Sequence, residues 1–429
     1  MDLHLFKKKD FTLLILGNLV SRIGTYFQEF ALSLYVLEIT GSATKFASVL
    51  TVTAIPQIIL GPFMGVFADR FDRKKIMVYS DLLSGILVGI TALIFSINGE
   101  ISLLYIYILA IVLSIISLIF TPAVGGVIPS IIKEDKLLDA NAINSFVSNF
   151  ALVIAPIIAG VLYSACGVLI IFVANAISFI LSAISEMFIN IPKLNKGKMG
   201  LSVKSYFNDL VEGLKITVKV KTIFSVMFLA LIANFALNPI TNVGFVYIVK
   251  QVFNCSSAQL GFFQGIMLIG MLIAPIVSTT LLKGKSIKKI ISYNMLLSGA
   301  VIAISAFVAS SSYTGLFNNN TVPYITLLIL VVFIAVFISV INIFLSTLFQ
   351  KEVPLEMLGR VGAVLNTIAA AMTPLGQMFF GVLFDSKPVY FSFILAAVII
   401  VISTVIFNFI NSKGGLSEEK SKEKKEMVG

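Results

Sequence analysis

Apolar runs of twenty or more residues alternate along this chain with short polar breaks, and the breaks hold nearly all of its charge. About 20 consecutive apolar residues are enough for a helix to cross the hydrocarbon of a bilayer. The pattern therefore predicts twelve membrane-spanning helices, at 11–37, 44–68, 76–97, 101–121, 141–164, 168–190, 222–248, 257–282, 287–309, 323–349, 361–384 and 389–411. The widest break, 191–221, has its own period. Val203, Tyr206, Phe207, Leu210 and Leu214 recur at helical spacing, with Lys204, Asn208, Asp209, Glu212 and Lys215 on the other face. That predicts a helix lying on the membrane surface between two sets of six spans.

Charge placement sets the orientation. With the amino terminus inside, every lysine and arginine of the 31 falls on the inner side except Arg22, Lys45, Lys250 and Lys387. Cytoplasmic loops carry such an excess, so both termini are read as cytoplasmic. Lys7, Lys8 and Lys9 precede an apolar run too long for the core of a cleaved signal, which reads as an uncleaved first helix. The expected organisation is a six-helix bundle at 1–190, a cytoplasmic linker at 191–221, a second bundle at 222–411 and a disordered cytoplasmic tail at 412–429. The two bundles read as faded copies. Pro62 and the Lys74-Lys75 pair correspond to Pro275 and Lys288-Lys289, and the Pro129/Asn141 spacing recurs as Pro354/Asn366.

Composition removes the soluble alternatives. The 429 residues are 58% hydrophobic and only 12% charged, with a mean hydropathy of +1.03, too few charges to cover a water-facing surface. The net charge of +10 is dispersed between spans, so it is a topology signal and not a nucleic-acid footprint. Cys166 and Cys255 lack metal spacing and read as two small unpaired residues, a disulfide being the alternative. His4 is the only histidine and no phosphate-binding Gly-rich loop is present. No metal site, cofactor or enzymatic triad is expected, and energy has to come from a gradient.

Charged groups are expensive in hydrocarbon and mark cavities. On the first span Asn18, Arg22, Thr25 and Glu29 fall within about 60° of one another at 100° per residue, and Ser21 and Gln28 widen the arc to about 120°. The stripe reads either as a polar seam against neighbouring helices or as the wall of a water-accessible substrate cavity. Glu29 is the acidic residue farthest from both loops and is the first proton-coupling candidate, with Asp81 the second. Asp81 and Glu186 sit close enough to the inner loops to be expected to pair with cations there. On the seventh span Asn234, Asn238 and Asn242 share a face suited to binding a ligand or a neighbouring helix.

The break after the second span runs Gly61-Pro-Phe-Met-Gly-Val-Phe-Ala-Asp-Arg-Phe-Asp-Arg-Lys-Lys75. It resembles the Gly-x-x-x-Asp-Arg-x-Gly-Arg-Lys loop of the major facilitator superfamily. Gly65, Asp69, Arg70, Arg73 and Lys74 match, and Asp72 replaces the usual glycine. The resemblance implies two pseudo-symmetric six-helix bundles working by alternating access, with Asp69 meeting the start of the eleventh helix after Arg360 as a gate. Ala155-Pro156-Ile-Ile-Ala-Gly160 resembles a degenerate form of the superfamily's antiporter signature, resting on Pro156 and Gly160. Glu38-Ile-Thr-Gly-Ser42, Phe120-Thr-Pro-Ala, Ile128-Pro129, Asp139-Ala-Asn141 and Val353-Pro354 with Gly359-Arg360-Val361 resemble the branch of macrolide-efflux proteins and the enterobactin exporter. The cation that many drug–proton antiporters carry on the fourth helix is missing from 101–121, and Arg22 is the stand-in.

The expectation is a monomeric, all-α, multi-pass protein of a bacterial cytoplasmic membrane. It exports amphipathic small molecules in exchange for protons, its partners being substrate, protons and the bilayer. A lysophospholipid or siderophore translocator is the alternative, and a non-transporting receptor or scaffold is disfavoured because no large soluble segment is present.

Overall fold

The computed structural model describes residues 3–191, 211–212, 214–215, 217–218, 220–282, 284–353 and 357–426, with the side chains of 3, 62, 65–70, 359–360 and 412–426 outside that description. Among the described residues there is no strand. The long helices are α1 (Lys9–Thr40), α2 (Ala43–Arg70), α3 (Arg73–Asn98) and α4 (Leu103–Ile131), then α5 and α6 within Leu137–Met187. They continue as α7 (Lys221–Val252), α8 (Ser257–Thr280), α9 (Ile287–Val308), α10 (Thr321–Glu352), α11 (Leu358–Ser386) and α12 (Val389–Glu426). The linker at 192–210, and with it most of the expected surface helix, lies outside the described residues.

Helices α5 (137–166) and α6 (168–187) meet at a single residue. Gly167 has φ 75 and ψ −175, a backbone state open to glycine and strained for any L side chain. The first loop is two residues long: the Gly41 N–H closes α1 on the Leu37 carbonyl at 2.8 Å with φ 63, and Ser42 caps α2 by accepting from the Lys45 N–H. The fourth helix corrects its expected end at 121. It runs ten residues farther, through Pro122 and Pro129, to Ile131. A membrane bundle tolerates proline inside a helix, and the Thr121 hydroxyl beside Pro122 donates to the Ser117 carbonyl at 3.0 Å.

Ten stretches are long and apolar enough to cross a membrane, one of them, of 54 residues, carrying both α5 and α6. With α1, 32 residues long but diluted by its polar stripe, they make twelve crossings among the described residues. Side-chain distribution agrees. On α3 Tyr79, Leu83, Ile86, Ile90, Leu93 and Ile97 are exposed, while Ser80, Asp81, Ser84 and Thr91 are buried. On α9 Tyr293, Leu297, Ile304 and Phe307 point outward, and Ser292, Asn294, Ser298 and Ser305 inward. Apolar outside and polar inside is the arrangement expected where the surrounding solvent is lipid.

The chain divides into two compact units. The first is Met1–Val203 with Cys255–Gly265, and the second is Lys204–Asn254 with Ile266–Gly429, so the start of α8 packs with the first unit. A core where the starts of α1, α3 and α5 meet the end of α4 joins Phe11, Leu14, Met77, Val124, Val127 and Ile143. The second unit has smaller cores, around Ile223, Val353 and Val361 and around Ala274, Ile290 and Val340.

Candidate functional site

The stripe on α1 divides into a buried and an open part. Asn18 is buried and donates to Asn144 Oδ1 on α5 at 2.9 Å, while its own oxygen accepts from Arg22 Nε at 2.8 Å. Ser21 is buried and donates to Asp81 Oδ1 on α3 at 3.2 Å. Gln28 accepts from Asn175 Nδ2 on α6. Thr25 donates to the Ser21 carbonyl of its own helix. These contacts make the buried part a polar seam joining α1 to α3, α5 and α6. Glycine makes it narrow: a Cβ on Gly24 would lie 2.1 Å from Asn175 Oδ1 and from Ser178 Oγ. The open part is different. Arg22 is half-buried and spends one N–H on Asn18, and Glu29 is exposed on the first unit with no hydrogen-bond partner among the described residues. A cation and a carboxylate seven residues apart thus stand on one face of a membrane helix, neither paired to the other.

Asp81 and Glu186 do not pair with loop cations, which corrects the expectation for both. They are 3% and 2% exposed, and no described cation bonds to either. Lys74 Nζ donates to the Ile189 carbonyl at 2.8 Å, beyond the end of α6, and Arg73 Nη1 donates to the Gly126 carbonyl of α4 at 2.7 Å. Asp72, where the superfamily loop has glycine, accepts from the Lys74 and Lys75 N–H groups and caps α3. Arg73 and Lys74 thus fasten the start of α3 to α4 and α6, whereas Gly65, Asp69 and Arg70 have side chains outside the described residues. A Cβ on Gly126 would sit 2.5 Å from the Arg73 guanidinium carbon. Gly126→Ala should therefore expel Arg73 and lose about 1.5–3 kcal/mol, the worth of a charged hydrogen bond. Gly125, with nothing within 4 Å of an added Cβ, is the matched control. Thermal melting of the two purified variants checks the difference.

Pro156 and Gly160 lie at a close helix crossing in the first unit. A Cβ on Gly160 would come within 2.4 Å of the Ser257 carbonyl, and one on Gly261 within 2.2 Å of the Pro156 carbonyl. Beside this crossing Glu38 of α1 accepts from the Tyr163 hydroxyl at 2.7 Å and from Ser257 Oγ at 3.3 Å. In the second unit the asparagines ride on a helix with three π turns, at Ala233–Leu237, Ile240–Gly244 and Ile248–Val252. Such turns wind less per residue and are frequent at functional sites. Asn234 accepts from the Thr373 hydroxyl of α11 at 3.0 Å, and Asn242 Nδ2 donates to Asn238 Oδ1 at 2.6 Å. Asn234 is thus engaged helix to helix, while Asn242 is exposed at the other end of the row.

A family model described as transmembrane secretion effector matches residues 3–427. The chain belongs to this family of major facilitator transporters. Macrolide efflux protein A of Streptococcus pyogenes is 25% identical over 406 residues, which cover 92% of this chain and 94% of that protein. The staphyloferrin A transporter of Staphylococcus aureus is 23% identical over 409 residues, 95% of this chain and 96% of that one. Among solved structures, an inward-facing bacterial homologue of the iron transporter ferroportin superposes with a TM-score of 0.69 at 18% identity, covering 94% of this chain and 98% of the other. A bacterial homologue of the lysosomal transporter Spinster reaches the same TM-score at 13% identity, covering 96% and 97%. These two likenesses speak to the fold. The chain is accordingly a transporter and not an enzyme.

Several residues of this transporter's polar framework and helix crossings are missing from the sequence-based candidates: Asn144, Asn175, Tyr163, Ser182 and Ser257 among the polar ones and Gly261 at a crossing. One signal was available. Gly261 and Gly265 stand four apart, the spacing by which small residues bring membrane helices together. The serines and asparagines had none, because their partners lie more than a hundred positions away in the chain. Both cysteines are thiols, Cys166 exposed and Cys255 buried.

Proposed function

We propose that this transporter is a secondary active exporter of amphipathic small molecules of macrolide or drug type, driven by protons. The protein would reside in a bacterial cytoplasmic membrane with both termini inside. The observation that carries the reading is the open part of the α1 stripe: Arg22 half-buried and Glu29 exposed, with no ion pair between them, on a helix otherwise committed to its neighbours. A carboxylate left open in a low-polarity setting can take up and release a proton in alternation with substrate binding, which is what exchange requires. Arg22 and Thr25 supply polar contacts to a ligand otherwise bound by apolar surface. The 25% identity with a macrolide efflux protein over almost the full chain supports the substrate class. The test is susceptibility and drug accumulation in cells stripped of their own exporters, with and without this chain. Unchanged accumulation across macrolides and other amphipathic drugs overturns the substrate class.

A siderophore is the second reading. It is favoured by the likeness to a staphyloferrin A transporter and by the guanidinium N–H groups that Arg22 does not spend on Asn18, which suit a carboxylate-rich ligand. Growth under iron limitation distinguishes it. The gating role of the inner loop is part of the same proposal. Asp69→Asn is expected to cut transport strongly while leaving the protein in the membrane, and wild-type rates in that variant and in Gly65→Leu would remove the gate.

A further inference from the structure

The wedge between α1, α3 and α6 contains a group of polar atoms that the proposed substrate cycle does not use. Asp81 and Glu186 are both buried, on α3 and α6, which pack along each other from the Lys74–Ile189 contact at one end to the approach of Gly85 and Ala176 at the other. Asp81 Oδ2, Glu186 Oε2 and Ser182 Oγ are buried with no hydrogen-bond partner. Ser182 is 1% exposed, lies one turn before Glu186 on α6 and is turned toward Asp81. The wedge is tight here. A Cβ on Gly17 of α1 would sit 3.4 Å from Ser182 Oγ, and one on Gly85 of α3 would lie 3.2 Å from the Ala176 carbonyl of α6.

The charged groups around the pair are committed elsewhere. Arg22 on α1 donates to Asn18, and Asp10 of the same helix accepts from the Asn190 N–H. On α3 itself Arg73 and Lys74 donate to the Gly126 and Ile189 carbonyls, and Lys75 lies farther out at the start of that helix. Helix α4 carries no charged side chain, and Asp139 sits in the first turn of α5. Two carboxylates buried side by side without a cation repel strongly in a medium of low polarity. One proton removes the conflict. Held between Glu186 Oε2 and Asp81 Oδ2, it would give both orphan oxygens a partner, with the Ser182 hydroxyl left as a further donor. Ser21 already donates to Asp81 Oδ1.

We propose that Asp81 and Glu186 form a single proton-binding site in the first unit, one proton being shared between the two carboxyls, with Ser21 and Ser182 as hydroxyl donors. It is distinct from Glu29. Its use in transport rests on the proton-coupled reading above, but its existence does not. The pair lies near the inner ends of α3 and α6, so proton entry and loss there would bias how those helices pack.

Infrared difference titration of the full chain in lipid nanodiscs tests the site, using Asp81→Asn, Glu186→Gln, the double variant and Glu29→Gln. Besides the separate Glu29 signal, recognised as the part lost in Glu29→Gln, the wild type should show one protonated-carboxyl band that both single variants alter, shifting its midpoint by about one pH unit or more, the signature of interacting sites. The double variant should lack the band, and Glu29→Gln should leave it unchanged. Thermal melting accompanies each variant, and Ser182→Ala, a smaller change, should shift the same band if a carboxyl variant fails to fold. A double variant that keeps the band overturns the site. So do two bands that each respond to one substitution alone, or a midpoint that follows sodium concentration and so marks a sodium site. If the band behaves as expected while wild-type vesicles show no proton-driven transport, the coupled reading fails and the site stands.

Discussion

Glu29→Gln is expected to abolish accumulation of substrate against its gradient in proteoliposomes under an imposed proton gradient, while substrate binding and pH-independent exchange persist. The amide keeps the size and much of the hydrogen bonding of the acid but cannot give up a proton. Substrate recognition rests on groups that the change does not touch, Arg22 and Thr25 on the same helix among them. Because Glu29 is exposed and makes no hydrogen bond within the described residues, its removal leaves no buried donor orphaned, so the variant should fold and insert normally. A purely structural Glu29 would give the opposite pattern, lower stability with coupling retained. Uphill accumulation at the wild-type level in Glu29→Gln vesicles removes the coupling role, and Asp81 is then the residue to substitute next.

The second large effect concerns packing. Gly376→Ala on α11 would place a methyl group 2.1 Å from the Phe235 carbonyl, inside the first π turn of α7. Gly261→Ala meets the Pro156 carbonyl at 2.2 Å in the same way. Backbone oxygens cannot rotate aside as side chains do, so the helices have to separate. Overpacking of this kind costs about 1–3 kcal/mol, and both variants should melt lower and transport poorly. The sign of the control sharpens the test. An alanine at Gly125 meets nothing within 4 Å and replaces glycine inside a helix, so it should be neutral or stabilising by up to about 1 kcal/mol. Equal melting temperatures for Gly376→Ala and Gly125→Ala would show that the contact at Phe235 yields without cost.

The two outcomes separate the roles of polar and small residues in this transporter. Polar side chains in the membrane serve either a seam or an opening, and α1 carries both within three turns. Small residues set how closely the seam closes. Asn18 illustrates the connection, since its amide bonds Asn144 while its oxygen holds Arg22 in place. Asn18→Ala would therefore act through Arg22 as well as through the helix contact.

By itself the sequence determined the membrane class, twelve spans and most of their ends, because the bilayer demands long apolar runs and the charge of the loops has nowhere else to go. The inner loop and the full-length motif matches led to the superfamily that the family model bears out. The stripe on α1 was legible too, since helical period alone puts Asn18, Arg22, Thr25 and Glu29 on one face. Which of them face neighbours was not. Burial of Asn18 and Gln28 against Asn144 and Asn175, and exposure of Glu29, depend on where α5 and α6 pass, and that is settled by contacts between residues far apart in the chain. The same holds for Asp81 and Glu186. Their positions near the inner loops suggested pairing with cations, but Arg73 and Lys74 reach the Gly126 and Ile189 carbonyls instead, and the two acids stay buried between α3 and α6 with an orphan oxygen each. The fourth helix ran past its expected end for a related reason. A proline interrupts a helix in water, whereas a packed membrane bundle tolerates it, and the chain stays helical to Ile131.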